Sequence, residues 1–433
     1  MGNCYKVSKS QQATDIEYRR IITLQFKDSK EKIKFIVKPP EKLTSSVHTI
    51  GKVELRTTSC LLEGIDPRGT IKKPCQDLVF VTSQGDFLLS GVFDGHGKYG
   101  KEVVTYCTNF IINFFNSTNF SVNVKDSLTK MIEECDKALI TDSNIDCSTS
   151  GSTAALLLIT PETMWACSVG DSRAILATLP KHQKQNTEIQ SPKLAQYKKT
   201  FGGDSRHLKT VQLTLDQKPN ISYELERVIK AGGVVSQVTS KEGKKIGPYR
   251  IWKQGESIPG LAMSRSLGDS IAKSIGVISK PIIYQLNICL ARDQFVVLAT
   301  DGVWDVMTSA EVIQFVDRYK EICPKFPEYN KNTVSERNSI ISELLCEEAR
   351  HKWLDICKED DVGIDDISAV IIQFNTKELD GLVIKRKGIT AEQSLDIPNE
   401  DQKVIKVTKR FDIRRGSNAV IVEENEDNEE DFE

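Results

Sequence analysis

The chain has 433 residues, of which 39% are hydrophobic and 27% charged, and its formal net charge is −2. That balance belongs to a soluble globular protein; it gives no general reason to expect nucleic acid as a partner, and no apolar run reaches the roughly eighteen residues of a membrane-spanning helix. The start, Met1-Gly2-Asn3-Cys4-Tyr5-Lys6, lacks the apolar core of a secretory signal.

Residues 1–52 read as an N-terminal extension. After removal of Met1, Gly2 is placed for N-myristoylation and Cys4 for a second acyl chain; two chains anchor a protein stably where one anchors it marginally. Lys6 stands where the usual pattern has Ser or Thr, and with Lys9 it favours an anionic surface. The expectation is a cytoplasmic protein with peripheral membrane contact through that terminus. Residues 20–37 alternate loosely around Asp28-Ser29-Lys30, which suggests a short hairpin or embellishment ahead of the main domain.

From 53 to 375 the pattern is dense, as expected of one large domain. Apolar runs of strand length fall at 78–82, 87–93, 154–159, 164–169, 173–177, 282–288, 295–299 and 367–374. Helical spacing appears in Val103, Val104, Cys107, Phe110, Ile111, Phe114 and Phe115, and again from Ile340 to Trp353. A third helix is expected from Tyr223 to Ala231, ended by Gly232-Gly233. Many strands with helices in pairs read as α+β, antiparallel sheets with helices packed outside. Residues at about 179–210 carry seven Lys and Arg and little that forms a core, so they read as a basic surface insertion.

Residues 376–433 read as a regulatory or disordered acidic tail, with eight acidic residues among the last eleven. Within it, Arg414-Arg415-Gly416-Ser417 resembles a basophilic kinase site, so phosphorylation is expected at Ser417. The eleven cysteines contain no C-x-x-C pair and do not cluster with the five histidines. They read as reduced, mostly core thiols rather than zinc ligands.

The chemistry lies in the aspartates. Gln76-Asp77 opens one apolar run, Val92-Phe93 runs into Asp94-Gly95-His96-Gly97, and Leu298-Ala299-Thr300 runs into Asp301, with Asp305 just beyond. Asp365-Asp366 precedes another run, and Asp171 sits between two. Aspartates at strand ends can converge on one rim, where clustered carboxylates repel and need a cation. Oxygen-only ligands select hard ions, Mg2+ or Mn2+. Gly95 would turn the backbone sharply so that its carbonyl also faces a metal.

Eight motifs then occur in one order: Asp94-Gly95-His96-Gly97, Gly151-Ser152-Thr153-Ala154, Gly170-Asp171-Ser172-Arg173-Ala174, Leu213-Thr214-Leu215-Asp216-Gln217-Lys218-Pro219, Ala231-Gly232-Gly233, Leu261-Ala262-Met263-Ser264-Arg265-Ser266-Leu267-Gly268-Asp269, Asp301-Gly302-Val303-Trp304-Asp305 and Asp365-Asp366-Ile367-Ser368. This series resembles the type 2C metal-dependent protein serine/threonine phosphatases over residues 53–375. The resemblance implies a central antiparallel β-sandwich flanked by pairs of antiparallel helices. It implies hydrolysis of phosphoserine and phosphothreonine by in-line attack of a water bridging two Mg2+ or Mn2+ ions.

Carried over by position, Asp94 resembles the aspartate that bridges the ions and Gly95 the carbonyl ligand, while Asp301 and Asp365 resemble the other direct ligands. Asp77 looks like the holder of metal-bound waters. Asp171 and Asp305 match positions that can hold a weaker third ion, and His96 matches the general acid. Arg265 and Asp269 read as braces of the sheet. Arg250 and Trp252 read either as part of a substrate-facing flap or as packing.

Two departures matter. Gln76 stands where many members carry Glu, which predicts weaker metal affinity. The arginine that often precedes the acidic pair is replaced by a stretch in which Lys72, or else Arg68, would bind the substrate phosphate; lysine lacks the bidentate fork of arginine. The expected partners are phosphoprotein substrates, without nucleic acid, and the expected state is a monomer. The rival readings are a non-catalytic phosphoprotein-binding member and a hydrolase of small phosphate esters.

Overall fold

The computed structural model describes residues 20–25, 32–37, 41–65, 74–180, 208–240, 243–322, 334–359 and 363–375. The first strands, β1 (Arg20–Gln25) and β2 (Lys32–Val37), pair antiparallel as a two-stranded ribbon, where the alternation suggested a hairpin. Next come β3 (Lys42–Ile50), β4 (Val53–Leu62), β5 (Asp77–Gln84), β6 (Phe87–His96), α1 (Gly100–Ser117) and α2 (Val124–Thr141). Then follow β7 (Gly151–Ser152), β8 (Ala154–Ile159), β9 (Thr163–Val169), β10 (Arg173–Thr178), β11 (Lys209–Gln212) and α3 (Ser222–Lys230). The remainder is β12 (Gly233–Thr239), β13 (Lys245–Lys253), β14 (Pro259–Leu261), β15 (Leu267–Gly268), α4 (Ser270–Lys273), β16 (Ile282–Asn287), β17 (Asp293–Ala299), α5 (Asp301–Trp304), α6 (Ser309–Ile322), α7 (Val334–Glu359) and β18 (Ile367–Asn375). Each of the eight apolar runs is a strand. Among the described residues no helix is long and apolar enough to cross a membrane.

Two antiparallel sheets face each other. One has the order β11-β10-β17-β18-β4-β3; the other has β15-β7-β6-β8-β9-β16, with β5 also on β6. The alternation of strand side chains explains why the runs are continuously apolar, because both faces are covered. On β17, Val296 and Leu298 point between the sheets, while Phe295, Val297 and Ala299 face the helices. On β8, Ala155, Leu157 and Ile159 point inward, while Ala154, Leu156 and Leu158 face the other helical layer. The result is an α+β sandwich of four layers. α1 and α2 cover one outer face through Val103, Cys107, Ile111 and Phe115, and through Leu128, Ile132, Cys135 and Leu139. α6 and α7 cover the other through Val312, Val316, Leu345 and Ala349.

α2 is a helix that the sequence reading left unassigned. Asn123 caps it, its side chain accepting the Asp126 N–H at 3.1 Å. A separate small sheet, β12-β13-β14, packs on α3 and α4 around Val228, Ile251 and Leu261. In it Trp252 donates to the Ser236 carbonyl and Arg250 to the Gly260 carbonyl, so both side chains hold the small sheet together. The described cysteines are buried, Cys289 excepted.

Leu298 is fully buried between the sheets. Leu298→Ala is expected to lower unfolding stability by about 2–5 kcal/mol, read from urea denaturation; a loss below about 1 kcal/mol would mean that the sheets do not close on this residue.

Candidate active site

The antiparallel pairing brings the aspartates together. Asp77 begins β5 directly opposite Asp94 at the end of β6. In the other sheet, Ala299 pairs with Arg173 on one side and Ala369 on the other. The residues just beyond them, Asp171, Asp301 and the Asp365-Asp366 pair, therefore gather at one end. Two hydrogen bonds stitch the sheets there: Thr300 Oγ1 donates to Asp77 Oδ2 at 2.7 Å, and the Gln76 N–H donates to Asp366 Oδ2 at 2.8 Å. Thr153 locks Asp94 from below, its Oγ1 accepting the Asp94 N–H at 3.1 Å and its own N–H donating to the Asp94 carbonyl at 2.9 Å.

Asp77 and Asp171 are buried, Asp94 and Asp301 half-buried, and Asp365 and Asp305 exposed. Desolvation, with the charges of Asp77, Asp365 and Asp171, holds the Asp94 carboxyl well above the usual carboxylate range. Asp301 is raised by desolvation and by Asp94, Asp171 and Asp365. Asp77 is raised by desolvation and by Asp366, against the lowering effect of its Thr300 hydrogen bond. Carboxyls pressed together in this way keep a proton unless a cation replaces it. The donor set is oxygen-only and suits Mg2+ or Mn2+. Among the described residues no three His, Cys, Asp or Glu side chains are grouped around a single point. Hard ions of the Mg2+ type keep several waters and take only one or two carboxylates each.

The two acidic neighbours before β18 divide their work. Asp366 is buried, and its oxygens accept the Gly64 and Gln76 N–H groups, so it braces the chain. Asp365 faces the cluster as a charge on Asp94 and Asp301. Gln76 is itself buried, and its amide donates to the Gly97 carbonyl at 2.8 Å. A Glu at this position could not make that bond unless it were protonated.

Gly95 differs from the expectation of a sharp turn: it lies in β6, paired with Ser152. A Cβ there would come within 2.6 Å of the Gly100 carbonyl oxygen and 2.7 Å of the Gln76 one. Glycine is needed for close approach, and Gly97, with φ +80°, makes the turn. His96 Nε2 lies 2.8 Å from Asp269 Oδ2. Asp269 is buried and is the one non-glycine residue with positive φ among those described; a Cβ on Gly151 would strike its carboxylate. Asp269 therefore contacts the candidate acid, where the sequence suggested only a brace. Arg265 is a brace: with Arg227 and Ser264 it encloses the buried Glu224. Burial raises the Glu224 carboxyl, and these hydrogen bonds outweigh it and hold the group below its ordinary range.

Lys218 is the other residue whose role sequence reasoning missed. Its ammonium donates to Asp171 Oδ2, and the ion pair formed with buried Asp171, together with the nearby charges of Asp301 and Asp305, overcomes burial to raise its pKa. The candidate phosphate ligands Arg68 and Lys72, the acylation residues Gly2 and Cys4, and Ser417 lie outside the described residues.

The family described as Protein phosphatase 2C matches residues 72–339. "Probable protein phosphatase 2C 34" of Arabidopsis thaliana is 31% identical over 310 residues, covering 68% of this chain and 74% of the relative. "Probable protein phosphatase 2C 48" of Oryza sativa subsp. japonica is 31% identical over 309 residues, covering 67% and 76%. In fold, the chain is similar to a crystal structure of serine-threonine phosphatase 2C from Toxoplasma gondii, with a TM-score of 0.52 and 18% identity over 78% of this chain and 100% of that one. The chain belongs to the protein phosphatase 2C family of metal-dependent protein serine/threonine phosphatases.

The raised carboxyls carry a sign for pH. Their folded pKa values lie above the unfolded ones, so the metal-free fold loses stability as pH rises through and beyond the ordinary carboxylate range. A divalent ion bound by these carboxyls would take the place of those protons. The Mn2+-induced rise in melting temperature is expected to be large near about pH 7.5 and to shrink toward about pH 5, measured by thermal unfolding with Mn2+ or EDTA. An equal rise at both pH values would contradict this account.

Proposed function

We propose that the protein hydrolyses phosphoserine and phosphothreonine in phosphoproteins, with two Mg2+ or Mn2+ ions held at the rim by Asp94, the Gly95 carbonyl, Asp301 and Asp365, and with Asp77 holding their waters. The observation that carries this reading is the gathering of those carboxyls on one rim, with Asp94, Asp301 and Asp77 kept above their usual range by burial and by one another. The bound ions supply an acidified water and neutralise the phosphoryl oxygens.

The chain's own groups do the rest. Asp77, buried and tied to Thr300, stays fixed behind Asp94. As the water oxygen bonds to phosphorus, the P–O bond to the serine or threonine breaks and His96 gives the leaving oxygen a proton. To do so, the Nε2 edge of His96 turns from Asp269 toward that oxygen, because Nδ1 has no exposed surface. The ring is 23% exposed, so one edge already meets solvent. Lys72 or Arg68 receives the phosphate, and acylation at Gly2 and Cys4 brings the enzyme to a membrane; both belong to this proposal alone.

Purified protein should release phosphate from a phosphothreonine peptide with millimolar Mn2+ and not with EDTA, and Asp94→Ala should abolish the release. No release with any metal would sink the reading and favour a binding module; faster turnover of small esters than of phosphoproteins would favour a small-ester hydrolase. His96→Ala should slow the peptide reaction by about 10²–10⁴-fold and an aryl phosphate much less, since a phenolate leaves without a proton. Equal losses on both substrates would remove His96 from the acid role. Mass spectrometry of the mature N-terminus should show an acylated Gly2, and a free Gly2 would end that part.

A further inference from the structure

The loop before α3 is clasped, residue by residue, onto the turn between β9 and β10. Asp216 takes both edges of Arg173, from Nε at 2.9 Å and Nη2 at 2.6 Å. Gln217 is buried; its Oε1 accepts the Gly170 N–H at 2.6 Å, and its own N–H donates to the Gly170 carbonyl at 3.0 Å. Lys218 then meets Asp171. The lysine is held in register by its two predecessors and is not free to wander as a surface lysine would.

Asp171 has 1% of its side chain exposed, and Lys218 has 32%. Beyond this ion pair, the second oxygen of Asp171, Oδ1, has no hydrogen-bond partner. Asp301 and Asp305 are the other carboxylates acting on the ammonium. Asp171 and Asp305 are also the positions that the resemblance associates with a weaker third ion. A buried carboxylate needs a cation, and here the chain provides one of its own.

We propose that Lys218 is a tethered cation standing in the seat of the third divalent ion between Asp171 and Asp305, so that a third ion binds only by displacing its ammonium. The inference rests on the two-ion reading above and adds a determinant of how many ions the site takes. The lysine neutralises Asp171 permanently and without dehydrating an ion, whereas a divalent cation must shed water to enter. A weak third site follows directly: the incoming ion competes with a charge that is always present. Removing that charge leaves Asp171 buried with an unpaired oxygen and no counter-ion, and a divalent ion is the strongest available replacement.

The test uses the full chain and Mn2+ alone as probe, with free Mn2+ followed by its paramagnetic resonance signal and bound ions counted by equilibrium dialysis. Wild type should bind two ions well and a third only at much higher concentration. Lys218→Met should tighten the third site at least about tenfold, since it removes a nearby unit charge that opposes the ion. Lys218→Arg, which keeps the charge, should leave the third site as weak as in wild type. Lys218→Met combined with Asp171→Asn should bind only two. Lys218→Gln is read alongside, so that a folding failure of the Met variant, visible by circular dichroism, does not decide the matter. An unchanged third site in Lys218→Met and Lys218→Gln, or three equal sites in wild type, overturns the inference. Failure of wild type to bind Mn2+, or binding indifferent to Asp94→Ala, would instead overturn the two-ion reading.

Discussion

Seven aspartates gathered at one end of a sandwich, 77, 94, 171, 301, 305, 365 and 366, set the constraint on which the rest of the structure depends. Like charges directly opposite on neighbouring strands are destabilising, and Asp77 faces Asp94 in register. The fold tolerates this because the backbone around each carboxylate is fixed by groups outside the cluster. Thr300 and Ser368 tie the ends of β17 and β18, Thr153 holds Asp94, and Asp366 spends its charge on two backbone N–H groups. The repulsion that remains falls on Asp77, Asp94, Asp301 and Asp305, whose carboxyls are all held above their ordinary range. A site strained toward binding is thus made by packing that is elsewhere apolar and well satisfied.

The second layer of the design is a set of ion pairs that position and do not simply stabilise. Buried and half-buried pairs often contribute little against their desolvation, so buried Glu224 with Arg265 and Arg227, and the half-buried pair of Arg173 with Asp216, are better understood as setting register. The first ties α3 to the segment leading into β15. The second, with Arg173 stacked 4.9 Å over Trp304 and donating to Ser309, ties the β9–β10 turn to α5 and α6. Through these contacts the segments carrying Lys218, Asp305 and Asp269 are held relative to β6, which carries Asp94, and to the start of α5, which carries Asp301.

The strands were legible because each is buried on both faces. A run such as Ala154–Ile159 is apolar throughout, since one set of side chains meets the opposite sheet and the other meets helices. α1 was legible from its crowded apolar face. α2 went unread because Lys, Asp and Glu separate its core residues, although Leu128, Met131, Ile132, Cys135 and Leu139 keep the helical spacing. The aspartates at strand ends were legible from local pattern, whereas the choice of Asp365 over Asp366 was implied only by the family resemblance. The expectation of a turn at Gly95 failed because a glycine next to an aspartate reads as a turn, while the real demand was close backbone approach inside a strand.

The amino-acid sequence by itself determined the α+β class, the order of the motifs and the residue types at the rim, because these follow from periodicities of two and 3.6 residues and from short-range spacing; the sandwich was implied by the family resemblance. Only the tertiary structure decided the partners. That Lys218 meets Asp171, Asp269 meets His96 and Thr300 meets Asp77 depends on contacts spanning 47, 173 and 223 residues. Separations of that length carry no local signature: nothing near Lys218 in the chain distinguishes a solvated lysine from one held over a buried carboxylate. The choice is made by sheet register and layer packing, which exist only once distant strands have paired.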